Sequence, residues 1–337
     1  MRSILNIYLP IFLLLLLALA NLFFGSVSVP VEGVFRALSG SAPDGDVAAF
    51  IVLQSRLPQM LTALLSGCAL AVSGLVMQTV FTNPLADPSI LGVSSGAGLG
   101  AAIAMLLLGG SWTAGSFILS GYLLTVLAAF VGAMLVIFLL LFCSALLRDN
   151  LQLLVAGVMI SFATSSIVSL LSFFSTAEGV RSYVIWGLGD FSGVTLQRLP
   201  VFSVIILFCL LTVCLMSKPL NALLLGHDYA YNLGIRVGQV RTLLLFLTGL
   251  LTATVTALCG PIAFLGLAVP HIARLTLHTA NHRLLLPMTL IWGGNIALFC
   301  NLLAHLPGEK GILPLNAITP LLGVPVVLYL LFRRRIY

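Results

Sequence analysis

Few residues of this chain have both the type and the spacing that catalysis or nucleotide binding requires. Its two lysines are Lys218 and Lys310, and neither completes the GxxxxGK(S/T) pattern that holds the phosphates of ATP. His278 and His282 lie four positions apart in a basic loop without an acidic partner, which favours a solvated turn over a metal site. The six cysteines lie in apolar runs with no CxxC pair, which is typical of buried, inert thiols. We therefore expect no catalytic group, no metal site and no cofactor in the chain.

The stretch 219–241 has the composition of a surface that binds another protein. It is the longest stretch in the second half of the chain that is not simply lipid-soluble, and strongly apolar runs flank it. Gly226 and Gly234 are expected to break it into two short helices, because glycine readily ends helices. One side of those helices would carry large apolar side chains, namely Leu223–Leu225, Tyr229, Tyr231 and Leu233. The pattern predicts a compact, amphipathic, non-spanning segment that contacts another protein.

The composition of the whole chain excludes a soluble protein. Hydrophobic residues make up 60% of the 337 residues and charged residues 7%, whereas soluble domains are about one quarter charged. Apolar runs near the ~20 residues that a bilayer requires recur along the entire length. Backbone groups in lipid must bond within their own segment, and the runs do not alternate as barrel strands would. The predicted fold class is all-α, a polytopic transmembrane helical bundle forming a single domain over residues 1–337.

About ten spans are predicted, and the placement of charge orients them. The spans are 4–24, 57–80, a third that begins near Pro88, 115–146, 151–174, 199–216, 242–258, 262–277, 284–305 and 314–332. Ten Lys/Arg residues fall on the side that holds both termini and five on the other. The positive-inside rule therefore places both termini and the stretch 219–241 in the cytoplasm. With so few charges, the net charge of +6 does not indicate a nucleic-acid partner.

Two spans carry small or hydroxyl-bearing residues that do not suit a lipid-facing surface. The third is expected to start with Asp87 as its N-cap, and its glycines recur at every fourth position, at Gly92, Gly96 and Gly100. The fifth places three hydroxyls on one face, a hydroxyl stripe formed by Ser161, Ser165 and Ser169. Such hydroxyls either bond back to carbonyls of the helices or line a water-filled path.

Four blocks of the sequence carry a resemblance to a known family. They read RLPQMLTALLSGCALAVSGLVMQTVFTNPLADPSILGVSSGAG at 56–98, LGHDYAYNLGIRV at 225–237, GPIAFLGLAVPHIARL at 260–275 and GILPLNAITPLLGVPVVLYLL at 311–331. In this order the blocks resemble the permease subunits of the ABC importers for iron-siderophores, haem and cobalamin. The resemblance covers nearly the whole chain.

The resemblance implies a transport subunit of the bacterial inner membrane rather than an enzyme. Such a subunit contributes the translocation path, its gates and the segment that couples them to the ATPase, while a separate ATPase hydrolyses ATP. The family implies a homodimer, so a second copy of the chain is an expected partner and the translocation path lies on the two-fold axis. Two copies of the ATPase would bind on the cytoplasmic side, and a periplasmic substrate-binding protein would dock on the other.

The same resemblance implies roles for individual residues. The loop matching 220–234 would form coupling helices that enter a cleft of the ATPase, with breaks at Gly226 and Gly234 and a contacting face of Leu225, His227, Tyr229, Ala230 and Leu233. The cytoplasmic gate would comprise Asn83, Pro84 and Leu85 together with the turn that holds Asp149 and Asn150. The fifth span would line the path, which raises the interest of the hydroxyl stripe.

The chain departs from the family pattern at three positions. The helix that matches the ninth span usually ends in Asp-x-x-x-Arg, and RLP is usually followed by another Arg, but this chain has Asn301, His305 and Gln59 there. In the family those arginines often meet carboxylates of the binding protein. Arg56 and His305 are therefore the candidate docking residues. Docking is expected to rely less on charge pairs, or to depend partly on pH through His305.

Two other classes of function compete with the importer. An ion-coupled secondary transporter would need an ionisable group inside the membrane, but all nine acidic residues fall in predicted connections or at span ends. A membrane scaffold without transport activity would leave the Gly-rich and hydroxyl-bearing spans unexplained. Among substrates, ferric siderophores, haem and cobalamin all stay open, because no Met/His/Tyr cluster marks ligation of haem iron.

Overall fold

A computed structural model describes residues 2–41, 43, 45–89, 91–114, 117–147, 150–306, 308 and 311–333, most of which are helical. The first half of the chain comprises α1 (Arg2–Phe23), α2 (Val31–Ser39), α3 (Val47–Phe50), a π-helical turn (Ile51–Arg56), α4 (Leu57–Val80), α5 (Val93–Ala102), a second π-helical turn (Ile103–Leu107), β1 (Ser111–Ala114), β2 (Phe117–Ser120) and α6 (Gly121–Leu146). The two strands form an antiparallel hairpin in which Ser111 pairs with Ser120.

Every regular element described in the second half is a helix or a helical turn. It comprises α7 (Asn150–Phe174), α8 (Ala177–Gly187), a 3₁₀ turn (Phe191–Gly193), α9 (Leu199–Leu215), α10 (Ser217–Leu223), α11 (His227–Asn232), α12 (Val237–Cys259), α13 (Leu265–Leu277), α14 (His282–Ala304) and α15 (Leu315–Arg333).

Ten apolar helical segments of the described chain overlap the predicted spans, and by length and composition five of them, or six if a bent pair counts as one span, could cross a membrane. Five are long and apolar enough to cross a membrane: Val47–Val80, Gly121–Leu146, Leu151–Phe174, Val237–Cys259 and His282–Ala304. A sixth consists of α9 and α10, which meet at an angle of 56°. The remaining four are shorter apolar helices, at Ile7–Phe23, Val93–Leu107, Leu265–Leu277 and Leu315–Tyr329. The helical membrane-protein class predicted from composition is confirmed.

The starts of two predicted spans were wrong, and turns explain both. Asp87 does not cap a helix at Pro88: its carboxylate accepts a hydrogen bond from the Ser89 backbone N–H, at 2.8 Å, within a turn. The helix α5 begins only after Gly92, whose φ of +85° suits glycine. Likewise α6 begins at Gly121 rather than near residue 115, because the hairpin precedes it.

The chain folds into two compact units. The first contains Met1–Val72, Asp190–Phe208 and Ile262–Tyr337, and the second contains Ser73–Gly189 and Cys209–Pro261. Within the first unit, α14 packs on both α1 and α13. Its Gly293 also meets Gly67 of α4 so closely that a Cβ added at Gly67 would lie 2.2 Å from the Gly293 carbonyl oxygen. Glycine at this contact lets the two backbones touch.

The second unit is built around α5. This helix packs on α6, α7 and α12. A Cβ at Gly100 would lie 1.9 Å from the Ala128 carbonyl oxygen of α6, and one at Gly96 would lie 2.6 Å from the Gly132 carbonyl oxygen. Two of the three predicted glycines therefore lie at a helix contact, while Gly92 serves the turn before α5.

Candidate functional site

The predicted partner-binding segment forms two short helices, α10 and α11, as expected from its glycines. Gly226 has a φ of +105° and Gly234 a φ of +80°, and a Cβ at either position would meet nothing within 4 Å. The two glycines are therefore required by backbone conformation rather than by crowding. Gly226 separates α11 from α10, and α10 is itself bent from α9 by 56° around Met216.

Large apolar side chains of this segment point away from the rest of the chain. We call them the α10–α11 surface, and they are Leu224, Leu225, Tyr229, Tyr231 and Leu233, each at least 41% exposed. The predicted contacting face is corrected at Ala230, which is fully buried, because it lies on the inner side of α11. Tyr231, the most exposed of the set at 74%, belongs to the predicted apolar side of the segment but not to the contacting face that the resemblance implies. His227 begins α11, but its side chain lies outside the described part of the chain.

The predicted gate residues at 83–85 form a tight turn after α4. The Asn83 Oδ1 accepts a hydrogen bond from the Leu85 backbone N–H at 3.0 Å, and the Leu85 side chain is 40% exposed. Two residues on, Asp87 is buried, and burial raises the pKa of its carboxyl. Of the second gate segment, Asp149 lies outside the described residues, and Asn150 is described only as the first residue of α7.

The hydroxyls of α7 mostly bond back to their own helix, as the simpler reading of the stripe predicts. Ser161 donates to the Gly157 carbonyl at 3.1 Å, and Ser169 donates to the Ser165 carbonyl at 2.9 Å. Thr164, Ser166 and Ser172 do the same one turn back. The Ser165 side chain differs: it is exposed and lines a groove of about 390 Å³ between α5, α7 and α8. Only this member of the stripe faces the groove.

Residues that sequence reasoning overlooked form the other walls of this groove. They include Ser94 and Ser95 of α5 and the aromatic pair Tyr183 and Trp186 of α8. The two rings are stacked, with centroids 6.1 Å apart and an interplanar angle of 29°. Their i, i+3 spacing on a helix was a detectable signal, because it places both rings on one helical face.

Arg56 is corrected from a docking residue to a buried structural one. It is only 6% exposed. Its Nη1 donates to the carbonyls of Leu22 and Phe23, at 2.8 and 2.9 Å, and its Nη2 donates to the carbonyl of Val27. The guanidinium thus satisfies carbonyls at and beyond the end of α1, which have no intrahelical partner. A side chain committed in this way does not present its charge to another protein.

The three positions that depart from the family pattern contact one another. The Gln59 Nε2 lies 3.3 Å from the Asn301 Oδ1 and 3.3 Å from the His305 Nε2. Asn301 donates in turn to the Asn21 Oδ1 at 2.7 Å, and Asn21 donates to the carbonyl of Leu298 at 3.1 Å. These four side chains therefore form a connected network here, which we call the amide cluster (Asn21, Gln59, Asn301 and His305).

The amide cluster accounts for most of the hydrogen-bonding capacity of His305. Its Nδ1 lies 2.7 Å from the Asn301 carbonyl oxygen and must donate to it, so in the neutral ring the Nε2 accepts from Gln59. The side chain is half-buried. Its predicted role in docking, and the pH dependence attached to it, stay predictions.

The described residues contain no group of three or more His, Cys, Asp and Glu side chains that would hold a metal ion. Six of the nine acidic residues are described, namely Glu32, Asp46, Asp87, Glu178, Asp190 and Asp228, and all six lie outside the ten apolar segments. Asp44, Asp149 and Glu309 fall outside the described residues. The described part of the spans thus offers no carboxylate for ion coupling.

Known proteins resemble this chain over most of its length. The sequence model of a family described as the FecCD transport family matches residues 13–333. The vitamin B12 import system permease protein BtuC of Klebsiella pneumoniae is 39% identical over 284 residues, covering 84% of this chain and 83% of the relative. BtuC of Escherichia coli is 37% identical over 287 residues and covers 84% of each chain.

A solved structure shows the same fold. It is described as a metal-chelate type ABC transporter in an inward-facing conformation, and it superimposes with a TM-score of 0.83 at 30% sequence identity. The match covers 97% of this chain and 98% of the other.

Proposed function

This chain belongs to the FecCD transport family, and we propose that two copies of it form the membrane path of an importer for a cobalamin-like metal chelate. It is a permease subunit of an ABC importer, a transport component whose ATP hydrolysis occurs in a separate ATPase. The homodimer, the choice of chelate, the bacterial inner membrane and the arrangement of ten spans with both termini in the cytoplasm belong to the proposal.

The observation that carries the proposal is the α10–α11 surface. Five large apolar side chains are exposed within ten residues of a non-spanning segment. Exposed apolar patches of this kind mark protein-binding sites. The positive-inside rule puts the segment on the cytoplasmic side, where an ATPase would meet it. We assign the coupling contact to Leu225, Tyr229, Tyr231 and Leu233, with Gly226 and Gly234 as the breaks that shape it.

The choice of a corrinoid as the first substrate to test rests on the relatives. The relatives from Klebsiella pneumoniae and Escherichia coli are named for vitamin B12 import, and the solved structure for a metal chelate. Both descriptions fit a bulky, rigid complex rather than a small ion. Ferric siderophores and haem are the next members of the panel.

An association experiment tests the coupling contact. The chain is co-expressed with the ATPase and the binding protein encoded beside it, purified in detergent, and examined for co-elution of the ATPase. We expect co-elution with the wild type and its loss in Tyr231→Asp/Leu233→Asp, because each charge would have to be buried in an apolar contact. Val31→Asp, at an exposed apolar position of α2, is the matched control and should leave co-elution intact.

The outcomes separate the importer from its main competitor. A wild-type chain that never binds the ATPase, yet takes up chelate alone in proteoliposomes, would contradict the importer and favour an ion-coupled transporter. Co-elution that survives the double aspartate variant would keep the importer but move the coupling contact elsewhere, the turn at Asn83–Leu85 being the next candidate.

A further inference from the structure

The groove between α5, α7 and α8 differs in composition from the other polar parts of the second unit. It holds about 390 Å³, and the described residues that line it are aromatic, hydroxyl-bearing, aliphatic or small, with no charged side chain among them. One wall carries the stacked rings of Tyr183 and Trp186. The opposite walls carry the hydroxyls of Ser94, Ser95 and Ser165. A groove of this composition combines a flat apolar face with several neutral polar groups.

Five polar side chains among the residues that line this groove have no hydrogen-bond partner among the described residues, whereas Thr164, which also lines it, bonds to α7. The Trp186 Nε1 is buried and donates to nothing. The hydroxyls of Ser94, Ser95, Ser165 and Tyr183 likewise make no bond to another described residue, whereas Thr164, Ser166, Ser169 and Ser172 all bond to a carbonyl of α7. Unsatisfied donors and acceptors are costly where water is scarce, so their convergence on one groove indicates a site that a ligand completes.

The hydrogen-bond donors of the groove are also uncharged. Burial raises the pKa of the Tyr183 phenol, so the ring keeps its proton and stays a donor. Ser94 and Ser95 are half-buried, and Tyr183 sits close enough to Gly98 that a Cβ there would lie 3.3 Å from the phenol oxygen. Gly98 therefore keeps open the space in front of the phenol.

We propose that this groove is a substrate-contact site, which we call the aromatic–hydroxyl groove, for a neutral chelate whose rim carries amide or hydroxyl groups. Amides supply both acceptors for the indole and phenol donors and donors for the serine hydroxyls. A flat ring system of the chelate would lie against the stacked aromatic pair. Carboxylate-rimmed chelates are disfavoured, because no cation lines the groove to compensate the desolvation of their charge.

This inference rests on the proposed transport function and deepens it, because it assigns the permease itself a share in substrate selection. The groove includes Ser165 of α7, the helix proposed to line the path. A chelate released by the binding protein would therefore contact the aromatic–hydroxyl groove, which matches its neutral polar rim, before it crosses the helical bundle.

A binding measurement with matched ligands and variants tests the aromatic–hydroxyl groove. The permease–ATPase complex is placed in nanodiscs without binding protein, and equilibrium binding of radiolabelled cyanocobalamin is compared with that of a corrinoid whose rim amides are hydrolysed to carboxylates. The variant is Tyr183→Phe/Trp186→Phe/Ser165→Ala, which keeps both rings but removes three polar groups. The control is Trp292→Phe/Ser172→Ala, because neither residue lines the groove and their polar groups bond to Thr276 and to the backbone carbonyl of Val168.

We expect the wild type and the control variant to bind cyanocobalamin with equal affinity. The groove variant should bind it about tenfold more weakly. The carboxylate corrinoid should bind to the wild type at least tenfold more weakly than cyanocobalamin does. Ferrichrome, a neutral hydroxamate chelate, serves as a second probe. Equal affinity of variant and wild type, no preference for amide over carboxylate, or no binding of either neutral chelate to the wild type would overturn the proposal. ATPase stimulation by the binding protein, measured on the wild type and the control variant, reports the transport function separately from chelate binding.

Discussion

Arg56 satisfies backbone carbonyls at the end of α1 from within the first unit. Three carbonyls share its guanidinium, those of Leu22, Phe23 and Val27. Arginine suits this task because its rigid fork of donors stays charged and needs little reorganisation. Gly25 contributes as well, because a Cβ at that position would lie 3.0 Å from the Arg56 Nε.

We expect Arg56→Met to lower the free energy of unfolding by about 3 kcal/mol, because three buried or half-buried carbonyls lose a charged donor. Arg56→Lys should recover only part of this loss, since an ammonium does not reach all three carbonyls with the same geometry. Arg36→Met, at an exposed arginine of α2, is the control. Unfolding of the purified chain in detergent, followed by tryptophan fluorescence, measures the effect. A methionine variant that unfolds like wild type but loses binding-protein affinity would restore the docking role.

The amide cluster shows what the sequence alone could and could not reveal at the residue scale. The departures at Gln59, Asn301 and His305 were visible one by one against the family pattern. Their contact was not, because Gln59 and Asn301 lie 242 positions apart and no local spacing joins them. Asn21 carried no signal at all, since a single amide in an apolar helix looks like any other polar interruption. Together these side chains show that the three departures from the family pattern lie in one hydrogen-bonded network.

At the scale of elements, glycines set where helices meet and where they stop. The ends of the helices at Gly226, Gly234 and Gly260 were predictable, because glycine ends a helix through its own backbone freedom. The hairpin before α6 was missed, although Gly109 and Gly110 (φ +60° and +76°) gave a turn signal. An apolar run had masked it, since hydrophobicity does not distinguish a short strand from the start of a span.

The contact between α5 and α6 gives a prediction at this scale. We expect Gly100→Ala to lower the yield of folded protein severalfold, because the added Cβ would lie 1.9 Å from the Ala128 carbonyl oxygen and the two backbones would have to separate. Gly238→Ala is the control, since that glycine lies in α12 with nothing within 4 Å of the added Cβ, and alanine favours a helix. Size-exclusion chromatography of detergent extracts measures the monodisperse fraction. Equal yields from both variants would mean that α5 and α6 tolerate a wider spacing.

At the scale of the whole molecule, two long helices leave most of their surface uncovered by the chain. Only 28% of the apolar window of α6 and 17% of that of α7 are buried, compared with 72% for α12. The exposed residues of α6 are apolar, including Leu127, Leu135 and Phe142, which suits lipid. Those of α7 mix apolar side chains with three serines: Ser166 and Ser169 bond to carbonyls of α7, whereas Ser165 makes no such bond and lipid does not supply one. The two surfaces therefore face different surroundings, and α7 is the one that a second copy and a water-filled path would cover.

Cross-linking distinguishes these surroundings. The six native cysteines are first replaced, and a single cysteine is then introduced at Ile167 of α7. We expect this cysteine to form a disulfide between two copies in the bilayer, because a two-fold axis brings equivalent positions together. Disulfides need Cα atoms within about 7 Å. A cysteine at Leu135 of α6 is the control and should stay monomeric, since lipid separates it from any partner. Dimer bands on non-reducing gels after mild oxidation measure the outcome, and scanning along α7 should give bands at one helical period. Dimers formed only by the α6 cysteine would place the second copy, and with it the translocation path, against α6. The aromatic–hydroxyl groove would then face away from the two-fold axis.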